Sequence, residues 1–278
     1  MNRIIRKEIL GDKIKRIEID NMLISKKAKP GQFVVLRVDE KGERIPLTIA
    51  GAAPEKGTIT IIFQEVGTST TKLGLLKQGE EILNVAGPLG NPITIETYGC
   101  VCIVVGGVGA AFVYWMAKAF KTAGNKLITI LGARTASLLI LEKEMTDISD
   151  EIYITTDDGS KGEKGFNTDI LSKIISQKKT IDYLLTAGPI PMMKKVSEIT
   201  RPAGIKTIAS LNPIMVDGTG MCGGCRVSIN GKVKFACVDG PDFDAHGVDF
   251  DELIRRTSLY KTQEEISYKH KCKIGLDR

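Results

Sequence analysis

The chain has 278 residues, a formal net charge of +6, 42% hydrophobic and 26% charged residues, and 5% aromatics. This is ordinary globular composition, long enough for two compact domains and a smaller appendage, and it argues against a disordered chain. Its basic residues are dispersed rather than clustered among aromatic platforms, so no nucleic-acid partner is expected; the surplus suits a solvated surface facing an acidic protein partner.

From the start, Met1 to Gly11 alternates like a strand and lacks the apolar segment of a secretory signal. Strands are predicted at Arg3–Leu10, Lys13–Ile19, Gln32–Val38, Pro46–Ala50, Thr58–Gln64 and Glu81–Ala86, punctuated by Gly and Pro. A short helix follows Ser69, over Thr70 to Leu76. Six strands at this spacing suggest a small antiparallel barrel. The Gly87–Pro92 stretch reads as a boundary. Beyond it, Val101–Val105 is a continuous apolar run, as in a parallel strand buried on both faces. Thr97 to Ala117 carries no charge, but Gly99, Gly106, Gly107 and Gly109 interrupt it, so a strand, turn and helix are expected rather than a membrane span.

Helical segments at Ala110–Ala123, Ser137–Met145, Asp169–Gln177 and Pro191–Thr200 then alternate with strands at Leu127–Leu131, Glu151–Thr155 and Tyr183–Thr186. That alternation predicts a doubly wound α/β sheet. After about Ile208 the chain turns Gly- and Cys-rich, then acidic, and ends in a helix-like tail containing Lys269 to Lys273. The expected architecture is α+β multidomain: a barrel over 1–96, an α/β nucleotide-binding domain over 97–208, and a small C-terminal module over 209–278.

The most specific motif is Asp217-x4-Cys222-x2-Cys225-x11-Cys237. Thiolates spaced C-x4-C-x2-C…C hold plant-type [2Fe–2S] clusters in a tight loop, and the glycines Gly218, Gly220, Gly223 and Gly224 suit such a loop. Here an aspartate takes the first position; a carboxylate carries the charge of a thiolate but is a harder donor, which should shift the potential. The alternatives are a zinc site of three Cys and one Asp, or three unrelated buried cysteines. Structural zinc prefers paired C-x2-C spacings, and one such pair is present. The six cysteines form no even secreted framework, which points to a reducing, cytoplasmic location.

A second motif is the turn Gly106-Gly107-Val108-Gly109 after the buried strand, a place for backbone N–H groups and a helix N-terminus to meet a pyrophosphate. Phe112 stands where the third glycine of the dinucleotide fingerprint belongs, so a purely structural turn stays open. A third pair of segments is Arg44-Ile45-Pro46-Leu47-Thr48 and Gly67-Thr68-Ser69-Thr70, where an arginine fork and a hydroxyl-rich helix start are each able to hold phosphate. An exposed strand arginine and an ordinary N-cap explain them equally well.

In this order the pieces resemble the ferredoxin–NADP reductase superfamily. The runs Ser210 to Arg226 (SLNPIMVDGTGMCGGCR) and Phe235 to Pro241 (FACVDGP) are similar to the electron-transfer subunit family of dihydroorotate dehydrogenase. They resemble more closely still the small-subunit family of NADH-dependent reduced ferredoxin:NADP oxidoreductases, also called sulfide dehydrogenase beta subunits. The resemblance spans essentially the whole chain. It implies FAD at Arg44, Pro46, Leu47, Thr48, Gly67, Thr68, Ser69 and Thr70. It implies NAD(H) along Gly107 and Gly109, near Gly132 to Arg134 and Asp157 to Gly159, and a [2Fe–2S] cluster on Asp217, Cys222, Cys225 and Cys237. No side-chain catalyst is implied, since hydride and electron transfer belong to the cofactors.

The implied partner is a larger flavin/iron–sulfur subunit through which ferredoxin and NADP react, and the implied activity is flavin-based electron bifurcation. The rivals are a dihydroorotate dehydrogenase subunit and, in another class, a zinc-bearing regulatory or scaffold protein. Two positions depart from the superfamily: Phe112 replaces its proline, and Ala187-Gly188-Pro189 replaces its Cys-Gly-Pro. Cys100, Cys102, Tyr114, Trp115 and Met116 are expected in the core. His246 reads as a cluster-loop neighbour or a surface imidazole, His270 as solvent-facing, and Cys272 as a free thiol at a partner interface.

Overall fold

The computed structural model describes residues 2–260, 262–264 and 266. His270, Cys272 and the predicted tail Lys269 to Lys273 lie outside the described residues. Six antiparallel strands open the chain: β1 (Ile4–Gly11), β2 (Ile14–Asp20), β3 (Phe33–Arg37), β4 (Arg44–Ala53), β5 (Thr58–Gln64) and β6 (Asn84–Leu89). Helix α1 (Met22–Ser25) follows β2, and α2 (Thr68–Leu75) follows β5. The strands run in the order β1-β2-β5-β4-β3-β6. The ends meet at a bridge between Arg3 and Glu81, where Ile4 N donates to Glu80 O (2.9 Å) and Gly79 N to Ile4 O (2.7 Å).

Strand β5 shows why this pattern folds so. Ile59, Ile61 and Phe63 alternate into the barrel core, while Ile62 faces out and joins the core of the next unit. Strand β6 runs into the stretch predicted as a boundary. Gly87 and Pro88 fall in the register shift between the Val35↔Ala86 and Phe33↔Leu89 pairs, where an edge strand tolerates proline.

The second sheet is built from β7 (Cys100–Gly106), β8 (Lys126–Ala133), β9 (Glu151–Thr156), β10 (Glu163–Lys164), β11 (Tyr183–Ala187) and β12 (Lys206–Ser210). Helices α3 (Gly109–Thr122), α4 (Glu142–Ile148), α5 (Asn167–Ser176) and α6 (Ile190–Thr200) cover its faces. Every residue of β7 is buried, including Cys100 and Cys102, whose thiols burial pushes up. Met116 is fully buried, and Trp115 reaches from α3 onto the barrel core. The single helix predicted over Ser137–Met145 is instead a 3-10 turn at Ala136–Leu138 and then α4. Between them Ile140 and Leu141 are drawn into the core, with Leu141 at φ 55°. Their burial outweighs local helix propensity. No helix among the described residues is long and apolar enough to cross a membrane.

The rest comprises the hairpin β13 (Arg226–Ile229) and β14 (Lys232–Phe235), then α7 (Ala236–Asp239), β15 (Asp242–Asp244) and α8 (Phe250–Thr257). Strand β15 adds antiparallel to β12, with Ser210↔Asp242 and Ala209↔Phe243, and completes the order β10-β9-β8-β7-β11-β12-β15. Phe33 and Val35 of the barrel share a core with Cys225, Cys237 and Phe243. The Cys-rich segment is therefore tied to both sheets.

Candidate functional site

The parallel strands β7 and β11 lie side by side, with β8 and β9 on one flank and β12 on the other, so the winding reverses between them. Ligands of open α/β sheets bind outside the carboxyl ends of strands at such a reversal. A cleft of ≈ 740 Å³ opens there. It is lined by the carboxyl-terminal residues Gly106, Gly132, Ala133, Asp157 and Gly188, and closed from the barrel side by Ile14 and Gln64. Its volume falls in the range of small-molecule and cofactor sites.

Of the predicted nucleotide residues, Gly107, Arg134 and Asp157 line this cleft. Gly109 lies behind it, at the first turn of α3. A Cβ there would run into the carbonyl of Ala187, so the residue lets the helix start directly against β11. Asp158 is absorbed by its own turn: its Oδ1 accepts from Ser160 N (2.9 Å) and Ser160 Oγ (2.6 Å), and the Ser160 hydroxyl holds the carboxyl below its usual range. Phe112, at the third-glycine position of the dinucleotide fingerprint, lines the cleft.

Sequence reasoning missed Phe166, Asn167, Met192, Lys195 and Asn212, which also line it. Asn167 Nδ2 donates to Val105 O (3.0 Å), fixing the start of α5 beneath the cleft. Lys195 lies one helical turn into α6, a spacing that could have marked it once the strand before it was known. The exposed ring of Phe166 gave no such signal.

The two barrel segments also meet. Arg44 begins β4, and Ser69, buried in the first turn of α2, donates to Glu43 Oε2 (3.2 Å). Thr70 Oγ1 accepts from Val66 N (3.0 Å) and Gly67 N (3.1 Å), so this hydroxyl caps its own helix. Pro46, Leu47 and Thr48 are half-buried along β4, paired in register with Val35, Val34 and Phe33 of β3. Gly67 is the N-cap of α2 and Thr68 its first residue.

The cluster loop brings its four donors together as two pairs. Asp217 Oδ1 and Cys222 Sγ are 3.1 Å apart, and Cys225 Sγ and Cys237 Sγ are 3.2 Å apart. The first pair is open to solvent, while Cys225 and Cys237 are buried. Gly224 N donates to Cys222 Sγ and Cys237 N to Cys225 Sγ, both at 3.4 Å. The Thr219 hydroxyl, ahead of the Cys222 thiol, holds the Asp217 carboxyl far below the usual range. Burial, more than contact with Cys225, pushes the Cys237 thiol up to about 12, so a bound cation is what would make Cys237 a thiolate.

Among the described residues no three His, Cys, Asp or Glu side chains converge as one ion's ligand set. A two-iron centre takes two protein ligands per iron, and the two pairs fit that demand. Gly218, at φ 76°, lays the loop on the barrel, since a Cβ there would stand 2.8 Å from Val35 Cγ2 and 2.9 Å from Leu89 Cδ1. Val35 is the register partner of Pro46. One strand, β3, therefore separates the cluster loop from the Arg44–Thr48 strand.

His246 does not reach the cluster loop: its Nε2 lies 3.0 Å from Thr200 Oγ1, its backbone carbonyl accepts from Arg201, and burial lowers its pKa.

Antiparallel barrel, reversed parallel sheet and paired-donor loop together define a ferredoxin-reductase-like flavin- and nucleotide-binding fold with an iron–sulfur module. The model for the iron–sulfur cluster-binding domain of dihydroorotate dehydrogenase B matches residues 212–249. A Thermotoga maritima protein named as a homolog of the electron transfer subunit of dihydroorotate dehydrogenase B (NAD(+)) is 49% identical over 99% of this chain and 97% of its own. The chain belongs to the family of these electron-transfer subunits and their homologues, and it is an oxidoreductase electron-transfer subunit. A solved structure of an NADH-dependent reduced ferredoxin-NADP oxidoreductase, described for flavin-based electron bifurcation, superposes with a TM-score of 0.92 at 48% identity over 97% of both chains. An Amycolatopsis cytochrome P450 reductase, 19% identical with a TM-score of 0.61 over 74% of this chain and 68% of its own, shares the fold alone.

Proposed function

We propose that this chain is the small subunit of an NADH-dependent reduced ferredoxin:NADP oxidoreductase that works by flavin-based electron bifurcation, as a heterodimer with a larger flavin/iron–sulfur subunit. When bound, FAD supplies hydride acceptance from NADH and a [2Fe–2S] cluster supplies one-electron carriage. The observation that carries the reading is the single strand, β3, between the Arg44–Thr48 strand and the cluster loop. Neighbouring strands lie about 5 Å apart, so cofactors held by these two segments would be close neighbours.

In this reading Arg44 and the first turn of α2, from Gly67 through Ser69, bind the FAD phosphates, and Pro46, Leu47 and Thr48 form the wall beside its ring. Thr70 acts by keeping that helix start capped. Arg134 and Lys195 offer charge to a nucleotide diphosphate at the cleft, Gly107 leaves room for it, and Asp157 accepts from its ribose. Gly109 sets the helix against β11, and Asp158 shapes the turn beside Asp157. Asp217 with Cys222, and Cys225 with Cys237, hold one iron each. The working units are 1–96, 97–208 and 209–278, and the location is cytoplasmic.

A larger partner is supported by the exposed apolar side chains Val216, Met221 and Val238 on and beside the cluster loop, with Met221 89% exposed. Ferredoxin and NADP would react on that partner. Anaerobic purification with assay of flavin, iron and sulfide is the first test. About two irons, two sulfides and one FAD per chain, bleached by NADH, are expected; a colourless protein would sink the reading. A second reading, the electron-transfer subunit of a dihydroorotate dehydrogenase, draws on the names of the relatives. Co-purification with a partner that oxidises dihydroorotate and does not reduce NADP would select it.

A further inference from the structure

The two oxygens of the Asp217 carboxylate keep different company. Oδ1 lies 3.1 Å from Cys222 Sγ, its partner in the exposed donor pair. Oδ2 accepts two hydrogen bonds, from Thr219 Oγ1 at 2.7 Å and from Met221 N at 3.1 Å. A carboxylate left to itself binds a metal through one oxygen or both, and a solvent-facing one exchanges readily. Groups that hydrogen-bond a metal's ligand fix its orientation and tune the metal, and hydrogen bonding and exposure set the potentials of iron–sulfur centres.

We propose that Thr219 is a positioning residue for the iron–sulfur centre: its hydroxyl occupies Asp217 Oδ2, so the carboxylate ligates through Oδ1 alone. The inference rests on the reading of Asp217 as a ligand and adds a role for its neighbour. The hydroxyl donates to a charged oxygen, the stronger kind of hydrogen bond, and so draws charge from the carboxylate. Less charge on the ligand eases uptake of an electron by the centre, raising the midpoint potential. Holding Oδ2 also resists its replacement by water at this exposed edge. The Met221 N–H belongs to the backbone and persists when Thr219 is changed, so the effect is graded rather than all-or-none.

The test uses the full chain in its complex, loaded with iron and sulfide, with four variants: Thr219→Val, Thr219→Ser, Asp217→Cys and the double variant Asp217→Cys/Thr219→Val. The readouts are the electron paramagnetic resonance g values of the reduced centre, its midpoint potential, and the rate of iron release to a chelator. Thr219→Val is expected to keep its iron, alter the g values, lower the potential and release iron roughly tenfold faster. Thr219→Ser restores all three, and in the Asp217→Cys background Thr219→Val changes none of them. Should Thr219→Val fail to hold a cluster, Thr219→Ala serves in its place, and a double variant that does hold one supports the proposal.

Unchanged readouts in Thr219→Val overturn it. So do equal shifts with and without Asp217, which would mean that Thr219 acts on the loop and not on the carboxylate. If Asp217→Cys alone leaves the g values unaltered, Asp217 is no ligand, and the underlying reading fails in a distinguishable way.

Discussion

The two halves of the proposed ligand set are built in opposite ways. Cys225 and Cys237 lie 2% and 1% exposed among Phe243, Ala236 and Val227, so the fold itself holds them in place. Asp217 and Cys222 stand at the solvent edge, held by hydrogen bonds within the loop and by the seat of Gly218 on the barrel. One half is anchored by burial of apolar surface, the other by polar contacts that water can contest. In the proposed ligand set, losing the buried half should empty the centre, whereas changes in the exposed half should tune its potential and the rate at which it releases iron.

The largest effect should come from breaking the buried half. Cys237→Ala is expected to abolish cluster retention, seen as loss of iron and sulfide per chain, and to loosen the shared core, seen as a fall in Tm.

The next sharpens what burial costs on that side. The carboxylate oxygens of Asp242 are buried without a hydrogen-bond partner, and burial pushes the group up to about 7. The unfolded chain titrates this aspartate near 3.8. Between these values the folded chain keeps a proton that the unfolded chain releases. The stabilisation is complete below about pH 4 and lost as pH rises through about 7, by up to about 4 kcal/mol. Asp242→Asn should flatten that part of the stability–pH curve in chemical denaturation.

A control for the comparison lies at the cleft. Arg134→Ala should weaken NADH binding by about 10- to 100-fold in titration, the value of hydrogen bonds to a charged group, while iron content and cluster spectrum stay as they were. The smallest change in cluster content belongs to the exposed half: Asp217→Cys should retain a [2Fe–2S] cluster and shift its midpoint potential in redox titration.

What was legible in the sequence was local. Ile59, Ile61 and Phe63 alternate with the period of a strand, β7 is unbroken apolar sequence, and the close spacing of Asp217, Cys222, Cys225 and Cys237 brings them together as two pairs. What escaped depends on distant partners. Asp242-Phe243-Asp244 has no apolar pattern to mark a strand, and becomes one because β12 offers it an edge. Leu141 leaves the helical path because the core takes its side chain. Neighbouring carboxylates divide between cleft and turn, Asp157 to one and Asp158 to the other, because Ser160 lies within reach of the second. His246 finds Thr200, 46 residues away in sequence.

The addition of β15 to the parallel sheet also bears on timing. Because β15, just past Cys237, is hydrogen-bonded into the sheet that carries the nucleotide cleft, and Gly218 seats the loop on the barrel, the cluster-bearing segment is tied down on both sides. Any gap an electron crosses inside this chain is then a fixed dimension of the fold, and thickening the solvent should leave the internal transfer rate unchanged while slowing encounters with separate partners.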